Sequence, residues 1–450
     1  MKNIYVIVLS ITVFSSCNLF NSNEYAITGK VIDQFNQGVD SVKIYHSDQK
    51  FVYTNNTGVF SIPALKDEQV LIPEKENYTF TPGQITISVE TDTLVFNAHR
   101  TITENEVKML NWMNALQLNN GLLESTDKGN IVSLYDNALS ALVFMSYNDF
   151  TRAEKVFDFF HDRIYGELLN GKGGYSQFRD RNGTPNNHKW LGDNAWLLIA
   201  LNNYQKLSGK TTYAQMASEL EKWIRALQDE DGGIWGGYTS DGVRIHKVTE
   251  GNIDAFNAIP GFDDFHSNLL TFFETARWDS TAKSLVAWPG NARYLYALDV
   301  HAWSYCAFEN FPVYTLTFAE QFVTSVLATT ANHQVTGFCF DMDNDVVWLE
   351  GTGEMVVAFN EAGFSNEANF YLKELEKMMV ESKYTPGAFG LPYASNAGTG
   401  YGGDQLWSGA EKNPAISSTA WYLFGMNHFN PFKVEKQKNI PDEKQFWNKK

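Results

Sequence analysis

The spacing of apolar and polar residues changes character once along this chain. Between Tyr25 and Arg100, short runs alternate apolar with polar: Ile27-Thr28-Gly29-Lys30-Val31, Val39-Asp40-Ser41-Val42-Lys43-Ile44, Val59-Phe60-Ser61-Ile62, Ile85-Thr86-Ile87-Ser88-Val89 and Leu94-Val95-Phe96. Asn36-Gln37-Gly38, Asn55-Asn56-Thr57-Gly58 and Pro82-Gly83 punctuate them as turns. A period of two with turn residues between runs marks half-buried strands. Several such strands in so short a stretch predict a small β-sandwich.

From Glu104 the period becomes helical. Amphipathic segments at 104–118, 149–164, 213–228, around 266–288, 316–327 and 366–380 each precede a stretch that is apolar nearly all round. These second stretches repeat one another. Trp190-Leu191-Gly192-Asp193-Asn194-Ala195-Trp196 runs on to Ala200 and Asn202, and Trp348-Leu349-Glu350-Gly351 runs on to Ala358 and Asn360. Ala420-Trp421 and Ala302-Trp303 fall in the register of Ala195-Trp196, Asp254 takes the Trp position in the copy at 250–259, and 133–143 is a looser sixth. A helix apolar on every side is one buried on every side. Six outer and six inner helices in alternation predict an all-α (α/α)6 toroid after the sandwich.

The expected organisation is a lipoprotein signal at 1–17, a polar tether at 18–24, the sandwich at 25–100, the toroid at 101–432 and a peripheral charged tail at 433–450. The signal rests on one Lys, an apolar run from Ile4 to Phe14, and Ser15-Ser16 leading into Cys17, the residue expected to carry the lipid. That run is too short to span a bilayer. The implied location is the cell envelope, with membrane contact only through the lipid on Cys17. Cys306 and Cys339 fall in neighbouring repeats, where a disulfide is conceivable after export. The depth of Cys306 in a buried helix favours two unpaired thiols instead.

Hydrophobic residues make up 44% of the 450 and supply a large core, while the net charge of −17 argues against nucleic acid as a partner. Acidic polysaccharides would be repelled unless a local basic patch exists. No Cys/His spacing suggests zinc. Asp341-Met342-Asp343-Asn344-Asp345 looks like a calcium loop, but it lacks the turn Gly and terminal Glu, which favours a solvated acidic turn. No metal, no cofactor and a monomer are expected.

Long Gly- and aromatic-rich loops enter the inner helices, at 171–175, 231–238, 337–340 and 387–407, whereas the returns are short. A cleft is therefore expected at the N-terminal mouth of the barrel. Two residues after Trp190 in the repeat register stand Gly192, Glu250, Asp299, Glu350 and Ser417, with Asp193 one step along, Asp136 opening the first copy, and Asp254 and Glu354 a turn deeper. Helix capping explains Asp136, Asp193, Asp299 and Ser417 well, and Glu250 and Glu350 poorly, because Glu is not a favoured cap. Inner helices packed about 8–10 Å apart allow two inward carboxylates a separation of about 6.5–9.5 Å, as an inverting glycosidase requires. Clustered acids raise one another's pKa, giving a protonated acid beside an ionised base. The candidate catalytic set is Glu250 as acid and Glu350 as base, with Asp193 and Asp299 binding or orienting. Sugar contacts are expected from Trp190, Trp235, Tyr238, Trp303, Trp348 and Trp407, and from Asp136, Asn194, Asn252, Asp254 and His301. Arg179, Arg181, His188, Arg244 and His246 in the mouth loops leave a polysaccharide lyase open, and a non-catalytic glycan binder is the third reading.

Two resemblances sharpen these expectations. Gly29-Lys30-Val31-Ile32-Asp33, Gly38-Val39 and Thr57-Gly58-Val59-Phe60-Ser61-Ile62 resemble the carboxypeptidase regulatory-like domain, which implies a non-catalytic spacer. Gly192-Asp193-Asn194-Ala195-Trp196, Thr249-Glu250-Gly251-Asn252 and Trp348-Leu349-Glu350-Gly351-Thr352 resemble the six-hairpin glycosidase superfamily, with Gly251 where other toroid sequences carry His. That resemblance implies a glycoside hydrolase acting on an uncharged oligo- or polysaccharide. Lyases and sugar epimerases share the architecture, so fold alone does not fix the reaction.

Overall fold

The protein is described by a computed structural model covering residues 25–47, 50–65, 67–88, 94–397 and 409–449. The chain divides into two compact units, one ending at Thr101 and one spanning Ile102–Lys450. The signal, the tether, Cys17 and Trp407 lie outside the described residues.

Among the described residues the first unit holds eight strands: β1 (Tyr25–Ile32), β2 (Lys43–Ser47), β3 (Lys50–Tyr53), β4 (Val59–Leu65), β5 (Gln69–Glu74), β6 (Tyr78–Thr81), β7 (Ile85–Ile87) and β8 (Val95–Arg100). They form two four-stranded sheets ordered β4-β1-β8-β6 and β3-β2-β5-β7. Val31, Phe60 and Phe96 from the first sheet share one buried cluster with Ile44, Leu71 and Ile87 from the second. Gly29 is required within β1 because a Cβ there would meet Leu94 at 2.3 Å and Phe60 at 2.4 Å. Three strands escape the alternation argument. In β5 the buried residues include Leu71, while the apolar Val70 and Ile72 face solvent, so the period of two is masked. The run 39–44 becomes strand only from Lys43.

Among the described residues the second unit contains twelve α-helices. The inner set is α2 (Leu134–Ser146), α4 (Leu191–Ser208), α6 (Thr249–Ala258), α8 (Leu298–Ala307), α10 (Leu349–Ala362) and α12 (Ile416–Met426). Each packs on the next, and α12 returns to α2, so the ring closes. The outer set is α1 (Glu104–Leu116), α3 (Phe150–His161), α5 (Ala214–Ala226), α7 (Asp264–Phe272), α9 (Tyr314–Phe318) and α11 (Ser365–Glu376). Small residues allow the inner helices to approach: a Cβ on Gly353 would meet Trp421 at 2.8 Å, and one on Gly425 would meet Val356 at 2.6 Å. Both described cysteines, Cys306 and Cys339, are free and buried.

Three segments differ from expectation. The stretch 316–327 is not one outer helix: α9 ends at Phe318, a 3₁₀ turn spans Ala319–Phe322, and Val323–Leu327 pairs with Gln334–Phe338 as a hairpin. Its Val323-Thr324-Ser325-Val326 run suits a strand better than a helix. Around 266–288, α7 stops at Phe272 and the chain turns through a π-helical segment, Phe273–Arg277, into a second hairpin. The C-terminal tail packs rather than dangles. Phe446 and Trp447 are buried, with Trp447 5.1 Å from Phe311 and 5.6 Å from Phe308 between ring centroids. Lys433 and Lys436 both bond Glu361 at 2.9 Å, so the charges there serve as anchors.

Candidate active site

One register places the site. The second residues of the six inner helices are Tyr135, Gly192, Glu250, Asp299, Glu350 and Ser417. One turn deeper stand Leu139, Trp196, Asp254, Trp303, Glu354 and Trp421. A third set, three residues after each helix start, points outward and ties down the entering loops. Asn194 accepts from Tyr175 N at 2.8 Å and returns a bond to Tyr175 O at 3.0 Å. Asn252 does the same for Ile234, and Asn137 for Leu123.

The two glutamates are not the N-cap residues of their helices. Trp190, Val248, Ala297, Trp348 and Ala415 occupy the N-cap positions of α4, α6, α8, α10 and α12, and none makes a side-chain cap bond. Ser133 caps α2 by accepting from Asp136 N, so Asp136 is the capped residue rather than the cap. Asp299 Oδ1 accepts from Val300 N at 2.8 Å and does serve its own helix start. By contrast Glu250 Oε2 and both Glu354 carboxylate oxygens are buried without a hydrogen bond. Among the described residues that is a large desolvation cost kept in one place, the usual mark of a functional rather than a stabilising group.

Part of this register lines a cavity of about 350 Å³. Its walls include Glu250, Asp299, Asp193 and Asp254, the rings of Trp190, Trp196, Trp303, Trp288, Tyr294, Phe340 and Tyr135, and His246. Lys and Arg are absent from the lining among the described residues. Burial pushes Glu250 up to about 7, opposed by its own backbone N–H at the helix start and by the nearby Arg277. Glu350 is likewise raised by burial to about 7, while the Tyr135 hydroxyl, which donates to Glu350 Oε1 at 2.9 Å, and nearby Ser417 favour its ionised form. Asp299 is raised by burial and by its two neighbours Glu250 and Glu350. Asp254 and Glu354 are also held well above the carboxylate range by burial and by the acids above them. The Trp196 and Trp303 indoles lie close enough to favour ionisation of Asp254 and Glu354, but neither closes a full hydrogen bond.

Several expected sugar contacts fall elsewhere. Asn194 and Asn252 are fully buried and spent on loop backbones. His301 faces outward, its Nδ1 2.8 Å from Ser284 Oγ and its ring against Phe318 and Phe322. Burial drives its pKa down to about 3. Trp348 is buried with its ring 5.1 Å from Phe340, behind the wall. Trp235 lies under Arg244 and Lys247, and Tyr238 lines a separate groove. Asp136 is buried one position past Tyr135, and Tyr135 takes the cavity wall in its place. Trp190, Trp303 and Asp254 do line the cavity, whereas Glu350, expected there as the base, is not part of the lining and lies behind Tyr135, whose hydroxyl it accepts from. Tyr135, Trp196, Trp288 and Tyr294 were not singled out by sequence reasoning. Tyr135 was legible, because extending the register into the first repeat lands on it.

Two of the cations a lyase would use are committed elsewhere, while Arg244 sits over the Trp235 ring at 5.4 Å and His246 lines the cavity. Arg179 is buried against Glu167 at 3.0 Å, and Arg181 pairs with Glu124 at 2.7 Å. The acidic turn is not simply solvated either: Arg293 clamps Asp341 at 2.9 Å and Asp343 at 2.5 Å.

Comparison with known proteins supports the architecture. No protein-family model matches the chain, and no curated protein matches it either. Solved structures do. A glycosidase variant superposes with a TM-score of 0.53 at 12% identity, over 74% of this chain and 96% of its own. A sugar epimerase from a ruminal bacterium gives 0.51 at 11%, covering 72% and 97%, and an α-amylase from Clostridium perfringens gives 0.52 at 12%, covering 72% and 97%. The chain therefore has the (α/α)6 toroid fold these proteins share.

Proposed function

We propose that the protein is a glycoside hydrolase of inverting mechanism acting on a glycan whose cleaved unit is uncharged. The observation that carries this reading is Glu250 beside Asp299 in the wall of an aromatic cavity without Lys or Arg in its lining, with Glu350 held behind that wall by the Tyr135 hydroxyl. In that arrangement Glu250 is the protonated acid and gives its proton to the departing glycosidic oxygen. Glu350, held as an acceptor by Tyr135, takes a proton from water as that water attacks the anomeric carbon from the opposite face. The products are two shorter sugars, and the two carboxyls exchange protons with solvent to reset. Trp190, Trp288 and Trp303 offer faces for sugar C–H surfaces. The glycosidase, epimerase and amylase likenesses agree with carbohydrate chemistry on this fold.

A panel of neutral polysaccharides tests the reading. Reducing ends should appear with no absorbance near 235 nm, and Glu250→Gln should abolish them. An unsaturated product would indicate a lyase and sink the proposal. Sugar epimerisation is the second reading, favoured by His246 in the cavity wall. An unchanged chain length with an altered terminal sugar would select it. For the first unit, we propose a non-catalytic spacer of the carboxypeptidase regulatory-like type, and for the chain as a whole, export and lipid attachment at Cys17. Incorporation of labelled palmitate, lost in Cys17→Ala, tests the anchor.

A further inference from the structure

Beside the acid cavity lies a second groove, of about 430 Å³, with the opposite electrostatic character. A two-stranded ladder separates the two. Lys189 pairs with Tyr238, and Trp190 pairs with Gly237. Successive residues of a strand face opposite ways, and here Trp190 lines the acid cavity while Lys189 and Tyr238 line the groove.

The groove holds three cations, Arg163, Lys172 and Lys189, and one carboxylate, Glu167. Glu167 is already committed: it accepts from Arg179 at 3.0 Å and lies 3.5 Å from Lys189. Lys189 also donates to Ser176 Oγ at 2.8 Å. Among the described residues neither Arg163 nor Lys172 forms a salt bridge; Arg163 donates to Phe159 O at 2.7 Å and feels Glu167 and Asp162 only at longer range. The Arg163 guanidinium sits 3.6 Å over the Phe159 ring and is partly desolvated, and the exposed Lys172 ammonium is 5.4 Å from the Tyr238 ring centroid. In a chain of net charge −17, three cations against one carboxylate leave this concavity locally positive, with the Lys172 ammonium in no salt bridge among the described residues.

The rest of the lining suits a sugar. Asn170, Asn187, Thr239 and Ser240 offer donors and acceptors, and Tyr238 offers a ring. The backbone is left bare at Gly166 and Gly171, where a Cβ would have nothing within 4 Å, and at Gly242, where it would approach only Lys172 Cε at 3.7 Å. A side chain at any of these positions would project into open space rather than into the fold.

We propose that this groove is a second saccharide subsite, which takes a sugar unit carrying an oxyanion, either a carboxylate or a sulfate ester. Lys172 and Arg163 supply the charge, Tyr238 meets the ring and the amide side chains take hydroxyls. The inference rests on the glycan-cleaving reading for the idea that the ligand is a sugar. It refines the substrate class to a glycan of mixed charge, with a neutral unit in the acid cavity and an anionic unit beside it. The charge segregation across one ladder is what an all-neutral substrate would not require.

The test is calorimetric titration of the full chain at low salt with glucuronate, glucose 6-sulfate, glucose and inorganic sulfate. At least one anionic sugar should bind about tenfold more tightly than glucose, and the better of the two identifies the oxyanion. Lys172→Ala should lower that affinity by about tenfold and Lys172→Arg should retain most of it, since a charge-assisted bond is the contact removed. Lys172 is exposed, so the alanine variant should fold, and its circular dichroism should match wild type. Equal binding of glucose and the anionic sugars would overturn the proposal, as would an unchanged affinity in Lys172→Ala. Inorganic sulfate binding as tightly as glucose 6-sulfate would also overturn it, by leaving the sugar no part. Hydrolysis of neutral glycans is read separately. Activity without anionic-sugar binding removes the groove alone, and anionic-sugar binding without hydrolysis removes the catalytic reading alone.

Discussion

The Tyr135 hydroxyl donates to Glu350 Oε1 at 2.9 Å, joining the first inner helix to the fifth across 215 residues of sequence. The direction of that bond is fixed from behind, because Trp421 Nε1 donates to the same hydroxyl at 2.9 Å. An indole N–H can only donate. Tyr135 therefore accepts from Trp421 and spends its single proton on Glu350, which must present a lone pair. Of the two groups near 7, this makes Glu350 the one suited to act as base.

Tyr135→Phe tests that assignment. Losing the donor should raise the Glu350 pKa above its present value of about 7. The ionised base would then form only at higher pH, so the acidic limb of the kcat–pH profile should move upward, with kcat at pH 6 falling about tenfold or more. An acidic limb that stays in place would mean the bond does not control the base.

Glu250→Gln and Glu350→Gln should each lower turnover by at least ~10²-fold, the usual scale of acid–base contributions. Azide should restore rate to the Glu350 variant by standing in for the attacking water, and should leave the Glu250 variant unchanged. Near-normal turnover in both would displace the pair, and Asp193 and Asp299, which line the same cavity, would be the next to test.

Asn194 and Trp288 should separate scaffold from contact. Asn194→Ala strands the buried Tyr175 N–H and C=O, and should cost about 3 kcal/mol of stability at the usual penalty for unpaired buried groups. Its KM should change little if the fold persists. Trp288 lines the cavity yet is 45% exposed, so Trp288→Ala should barely move the melting temperature and should raise KM severalfold. The reverse pattern would return Asn194 to the list of sugar contacts.

The inner barrel was legible because each inner helix is buried all round and reuses one register. Gly192, Glu250, Asp299, Glu350 and Ser417 are the second residues of their helices, as aligning the repeats requires. The cavity lining was less legible, because helix period reports depth and not which side of a fully buried helix faces the lumen. Asn194 and Trp196 sit two residues apart, yet one turns to a loop and the other to the cavity. Trp288 and Tyr294 come from a loop whose path no periodicity encodes. The tail misled for a different reason: its lysines are conspicuous, while only Ile440, Phe446 and Trp447 reveal a packed underside.

The acid cluster should also write itself into the pH dependence of folding. Glu250 and Glu350 titrate near 4.5 in a solvated chain and at about 7 in the fold, so the folded state holds more protons between those values. The slope of unfolding free energy with pH is proportional to protons bound unfolded minus folded, and is negative here. Their contribution is fully present below about 4.5, declines as pH rises, and is lost once pH passes about 7. The limiting slope is about 1.4 kcal/mol per pH unit for each such group, reduced by coupling between them. Asp254, Asp299 and Glu354 act in the same direction. Glu354→Gln removes one of the two deeper acids without opening a cavity. Its melting temperature should exceed that of the wild type at pH 8, and the gap should shrink towards pH 5. Thermal denaturation at four pH values reads both slopes, and a wild-type melting temperature that climbs steadily from pH 5 to pH 8 would show that the buried acids are ionised at little cost.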